Sequence, residues 1–84
     1  MEFGRIKIPD EYIELSEEEK NRILDKIIDL TIRIIDKELI FQPEINRVDY
    51  LNYSLDFMLD YQEKQENYEY CRIIVDIKKR LNED

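Results

Sequence analysis

The side chains with chemistry to offer in this chain are carboxylates and aromatic rings, and both recur at helical spacing. Asp49, Asp56, Asp60 and Glu63 fall along one side of a helix, with Asp56 and Asp60 one turn, about 6 Å, apart. Tyr50, Tyr53, Phe57 and Tyr61 form a parallel aromatic line, which Tyr68 and Tyr70 continue beyond a break. No Lys or Arg stands between Arg47 and Lys64. A second acidic group, Asp10, Glu11, Glu14, Glu17, Glu18 and Glu19, is also free of basic residues. Rows of this kind can simply keep a helix face solvated. They can also dock a basic partner, and carboxylates one turn apart can imitate a row of phosphates. Binding Mg2+ or Ca2+ would need a glycine-containing loop of alternating oxygen ligands. Gly4 is the sole glycine, so no metal site is expected.

Other chemistry is short of residues. There is no histidine, and the hydroxyls besides tyrosine are Ser16, Thr31 and Ser54. Cys71 is the single cysteine; no base stands beside it in sequence to generate a thiolate. General-base, nucleophilic and zinc chemistry therefore lack their usual groups. We expect no enzyme, no catalytic residue and no cofactor.

The formal net charge of −8 opposes nucleic acid as a direct partner, because phosphate binding requires a basic patch. It equally opposes adhesion to anionic membranes. The expected partner is a protein with a basic surface. No run approaches the ~18 apolar residues of a membrane span. The first residues, Met1-Glu2-Phe3-Gly4-Arg5, lack the charged-then-apolar pattern of a secretory signal, and a cytoplasmic location is expected. A chain of 84 residues buries only ~60–65% of the surface its unfolded form exposes. With no disulfide or zinc site, its remaining supports are good helix packing or a homodimer. Ala, Trp and His are absent while Ile, Asn, Tyr and Lys are plentiful, a bias toward AT-rich codons that fits a low-GC bacterium or its phage.

The elements that must position these groups read as helices. Residues 1–15 form an extended arm and a short turn, with Phe3, Ile6 and Ile8 covering part of a helical core; a short edge strand is the alternative. Tyr12, Ile13 and Leu15 are expected to point inward from the turn. Ser16 followed by Glu17, Glu18 and Glu19 starts a helix: the hydroxyl accepts a backbone N–H, Glu19 completes a capping box, and the carboxylates suit the positive end of the dipole. That first helix covers 16–41 and ends before Pro43. Leu24, Ile27, Ile28, Thr31, Ile35 and Leu39 make its core face, which Ile23, Leu30, Ile32, Ile34 and Phe41 widen. So broad an apolar surface makes it the expected central element. The second helix covers 44–64, starting at Glu44 or Arg47, with Val48, Leu51, Leu55 and Met58 as its seam. The third covers 67–82, capped by Asn67, with Tyr70, Ile74, Ile77 and Leu81 inward and Cys71 and Val75 beside them. The connection at Gln65-Glu66-Asn67 is short enough to make the last two helices an antiparallel hairpin. We expect one all-α domain, a small three-helix bundle with an extended N-terminal arm.

Two local motifs carry little. Asn52-Tyr53-Ser54 matches a glycosylation acceptor but falls inside a helix, and Lys78-Lys79-Arg80 suits a helix C-terminus. The stretch from Asn67 to Asp76, with its aromatic-Glu pair Tyr68-Glu69 and its later Asp76, resembles the second helix of the UVR-type hairpin. That motif occurs in excision-repair and protease-adaptor proteins. Here Val75 replaces the usual Arg and Arg72 replaces a small residue. The resemblance covers less than a quarter of the chain and implies a helical hairpin; no function is carried over from it.

The expectation for function is a small acidic, non-enzymatic protein-binding module, an adaptor or inhibitor. Its special case is a phage-type inhibitor that blocks the basic groove of a nucleic-acid-handling enzyme. The residues expected to meet the partner are Asp49, Asp56, Asp60, Glu63, Glu14, Glu17, Glu18, Tyr53 and Tyr61. The alternative is a structural or assembly subunit acting through homo-oligomerisation.

Overall fold

A computed structural model describes residues 1–83. The chain begins with β1 (Glu2–Phe3) paired antiparallel to β2 (Ile6–Lys7), in the register Glu2 to Lys7 and Phe3 to Ile6. The expected extended arm is thus a hairpin. Its two-residue loop has Gly4 at φ 60°, a left-handed value that glycine adopts without steric cost at the first position of such a turn. Phe3 stacks on Tyr70 with ring centroids 5.5 Å apart, tying the hairpin to the third helix. A 3-10 turn at Tyr12–Glu14 follows. Tyr12 is buried and Leu15 half-buried, but Ile13 is exposed, contrary to expectation.

Three helices make the body: α1 (Glu17–Glu38), α2 (Arg47–Lys64) and α3 (Tyr68–Leu81). The fold is all-α in its body, a three-helix bundle with the small sheet at its N-terminus. Ser16 caps α1 as its sequence suggests, its Oγ accepting from the Glu19 N–H at 3.2 Å. α1 stops at Glu38, short of the expected 41, because the chain turns from Leu39 onward. The Arg47 guanidinium stabilises that corner by donating to the carbonyls of Leu39, Gln42 and Ile45 at 2.8–2.9 Å and to Asp36 at 3.1 Å. α2 starts at Arg47, the later of the two expected starts, since Asn46 is the cap and its Oδ1 accepts from the Asp49 N–H. Asn67 precedes α3, but its side chain does not cap it; the amide donates to Gln62 Oε1 instead.

The turn between α2 and α3 is a Schellman motif: the Asn67 N–H donates to the Gln62 carbonyl and the Glu66 N–H to that of Glu63. Its left-handed position is Glu66, at φ 57°, where a Cβ costs about 1–2 kcal/mol. Cross-helix partners give the directions. Tyr12 reaches Asp76 and Asp25 reaches Arg80, so α1 and α3 run parallel. Asp36 meets Arg47, and Asn52 meets Asn82, so α2 is antiparallel to both. The start of α1, the end of α2 and the start of α3 therefore share one end of the bundle.

The core holds Phe3, Ile8 and Tyr12 against Leu24, Ile27, Ile35, Leu39, Leu51, Leu55, Ile73, Ile74 and Ile77. The deepest burial falls on α3, not on α1 as its breadth of apolar residues suggests. Ile73, Ile74 and Ile77 are essentially sequestered, whereas Ile34 is exposed and Ile23, Ile28, Leu30 and Ile32 are half-buried. Val48 leaves the seam of α2 for solvent, and Phe41 stands almost fully exposed on the corner. Among the described residues no helix is long and apolar enough to cross a membrane.

Candidate protein-binding surface

The residues expected to meet a partner divide over two parts of the bundle. Asp49, Tyr53, Asp56, Asp60, Tyr61 and Glu63 all lie on α2, with Asp49 and Glu63 separated by about 21 Å of helix at 1.5 Å per residue. Glu14 sits in the 3-10 turn, and Glu17 and Glu18 in the first turn of α1. The bundle direction brings this second group to the end where α2 finishes, near Glu63. It does not bring it to Asp49.

The aromatic line is the most exposed part of the set. Tyr53, Phe57 and Tyr61 follow one another at i, i+4 and i+8 and are 74%, 70% and 56% exposed. Tyr50 is half-buried at the edge of the core. Phe57 stands in the middle of this stripe, between Tyr53 and Tyr61, the two rings expected to meet a partner. Its i±4 spacing to both is visible in the sequence. A helix leaves such a stripe in water only where the neighbouring helices cannot cover it, and each ring retains apolar area that association could bury.

The acidic row is less uniform than its sequence suggests. Lys78 of α3 crosses to Asp56, and Lys64 pairs with Asp60 at 3.0 Å. On α1, Arg22 pairs with Glu18 at 3.1 Å and Arg33 with Asp29 at 3.0 Å. Among the described residues Glu14, Glu17, Asp49 and Glu63 make no ion pair. Exposed pairs of this type are worth about 0–1 kcal/mol, little enough for a partner's cations to replace them. The expectation of an uninterrupted acidic stripe on α2 is corrected by Lys78, which lies 22 residues from Asp56 in sequence.

Concavities flank α3 on more than one side. One, of about 150 Å3, is lined by Tyr12, Lys20, Arg72, Asp76, Lys79 and Arg80, among others. There the Tyr12 hydroxyl donates to Asp76 Oδ2 at 2.8 Å, and Lys20 Nζ lies 5.7 Å above the Tyr12 ring. Burial, reinforced by the bond to Asp76, pushes the Tyr12 phenol well above its ordinary value. Nearby, the Arg80 guanidinium donates to Asp25 at 2.9 and 3.1 Å and holds its carboxyl below the usual carboxylate range. Glu17, Asp76 and Glu83 stand in the same lining as the four cations, and Arg80 also pairs with Glu83 at 3.2 Å.

Another concavity is a shallow groove of about 510 Å3 between α2 and α3, with apolar walls from Ile13, Leu59, Tyr68, Cys71 and Val75. Cys71 is a free, buried thiol at its floor. Sequence reasoning missed this groove because Ile13, Leu59 and Val75 share no local pattern; only the packing of three elements assembles them. Among the described residues no group of three or more His, Cys, Asp and Glu converges to hold a metal ion. No protein-family model, curated protein or solved structure matches the chain.

Proposed function

We propose that this chain is a non-enzymatic protein-binding module, an adaptor or inhibitor, that receives a basic partner on the outer face of α2. The observation that carries the reading is the exposed stripe Tyr53–Phe57–Tyr61 running beside Asp49, Asp56 and Asp60 on the same helix. Rings supply area at low entropic cost, and carboxylates beside them select lysine- and arginine-rich surfaces and speed encounter. The special case of phosphate imitation in a nucleic-acid-handling enzyme has less support. The pairs to Lys78 and Lys64 leave Asp49 and Glu63 as the row's charges without an ion pair among the described residues, about 21 Å apart by helical rise.

The test is affinity capture from host lysate after nuclease treatment, with a salt gradient, comparing the native chain with Phe57→Ala and with Asp49→Lys/Asp60→Lys. A protein retained by the native chain, eluted by salt and lost by both variants supports the reading. Retention by both variants removes it. A second reading, a homo-oligomeric assembly subunit, draws on the exposed Ile34, Ile40 and Phe41 around the α1–α2 corner. Each copy would bring its own charge of −8 to that contact. Sedimentation across a dilution series decides it: a monomer at every concentration excludes the assembly role.

A further inference from the structure

We infer that the open groove between α2 and α3 takes a short amphipathic helix with basic flanks from the partner protein; this rests on the reading of the chain as a binder of basic proteins. The groove is apolar along its walls, with Leu59 from α2 and Tyr68 and Val75 from α3, and is closed at one side by Ile13 of the 3-10 turn. Ile13, Tyr68 and Val75 are each about half or more exposed, so the walls hold apolar area that nothing among the described residues covers. Tyr68 to Val75 spans seven residues of α3, about 10 Å or two helical turns. That is room for apolar anchors at i, i+4 and i+7. Two antiparallel helices with an open seam form the groove into which a third helix packs its ridges.

Charge selects the occupant. Glu63 and Glu69 line the groove. Glu14 adjoins Ile13 along the chain, whereas Asp60, beside Leu59, is already paired with Lys64. Among the described residues Arg72 is the one cation in the lining, and it also faces the cleft that holds Tyr12 and Asp76. A second copy of this chain would present its own acidic helices to these carboxylates, at a net −8 per copy. Like charges so opposed disfavour self-docking. A helix with apolar residues on one stripe and lysines along both edges meets the walls and the rim together.

The probe is a synthetic helical peptide of about 15 residues, near the shortest length that can hold a helix in water. It carries leucines at i, i+4 and i+7 and lysines along both flanks; its control replaces the lysines with glutamates. Titration of each peptide into the full chain is followed by NMR of the isoleucine, leucine and valine methyls. The inference expects the basic peptide to shift Ile13, Leu59 and Val75, the acidic one to bind at least about tenfold more weakly, and Val75→Lys to weaken the basic peptide by a similar factor. Ile13→Lys is the second variant, and retained helical circular dichroism shows that either variant has folded. Shifts confined to the surroundings of Tyr53, Phe57 and Tyr61 overturn the groove assignment and leave the proposed function standing. Equal binding of both peptides overturns the basic occupant. No binding of either up to about 1 mM, the limit of weak association, overturns the inference outright. Whether the module binds a basic protein at all is then judged from the capture experiment alone.

Discussion

The seam between α2 and α3 has two halves built on different physics. Toward the C-terminus of α3 the outer seam is latched by polar side chains. Asn52 and Asn82 exchange two amide hydrogen bonds at 3.0 and 2.9 Å, and Lys78 pairs with Asp56 one turn further along. Toward the N-terminus of α3 the polar contact among the described residues is confined to the turn, where Asn67 Nδ2 donates to Gln62 Oε1 at 3.2 Å. Leu59, Tyr68, Cys71 and Val75 line an open groove instead. Beneath both halves runs the same sequestered core of Leu55, Ile73, Ile74 and Ile77. The bundle's stability therefore comes from the inner face, and the outer seam is free to differ. One half is closed by directional bonds, while the other keeps apolar surface accessible.

The sharpest way to break this comparison is to truncate two adjacent residues. Ile74 is 0% exposed and Val75 is 49% exposed. Ile74→Ala should cost about 2–5 kcal/mol, since it leaves a cavity in the core; in a chain this small that is much of the total stability. Val75→Ala should cost less than about 0.5 kcal/mol, as an exposed change away from special features does. Urea unfolding of both variants checks the pair, and equal costs would mean that the open half is structural.

Tyr12 comes next. Tyr12→Phe leaves the half-buried Asp76 without its hydroxyl donor, and we expect a loss of about 1–2 kcal/mol by the same measurement. The pH dependence has a definite sign. The folded state raises the Tyr12 phenol above its ordinary value of 10.0, so this contribution is complete below pH 10 and is lost as pH rises toward the folded-state value. Thermal melts in the alkaline range should fall faster for the native chain than for Tyr12→Phe.

A change of about 1 kcal/mol in the opposite direction is expected at the turn that ends the open half. Glu66→Gly relieves the left-handed strain at φ 57° and should stabilise the fold. Peptide binding in the groove should be unchanged, because the turn geometry is retained. A smaller effect belongs to the latch. A double-mutant cycle on Asp56 and Lys78, whose side chains are both solvent-accessible, should give a coupling of about 0.5 kcal/mol that shrinks in high salt. A coupling above about 2 kcal/mol would show that the latched half holds the hairpin together.

Much of the local architecture was legible in the residues. Ser16 with Glu19 marked the start of α1, and the spacing of Leu51 and Leu55 placed the inner face of α2. Ile74 and Ile77 did the same for α3. Capping and helical periodicity are local effects, so a short stretch of chain carries them. The misreadings came where a distant group intervened. α1 ends early at a corner held by Arg47. The acidic row is interrupted by Lys78. The candidate groove depends on Ile13 lying over α3, 62 positions before Val75, which no periodicity records.

What the sequence by itself determined is the chemistry available: carboxylates and rings in rows, no histidine, one thiol and a net charge of −8. It also determined the helices that carry them, because backbone capping and an apolar face every 3.6 residues are properties of neighbouring residues. Tertiary structure alone decided which of those groups remain available. Three helices have more apolar surface than they can bury against one another, so packing chose Ile74 for the core and left Tyr53, Phe57 and Val75 to solvent. The same packing brought Lys78 to Asp56 and left Glu63 unpaired among the described residues beside an open groove.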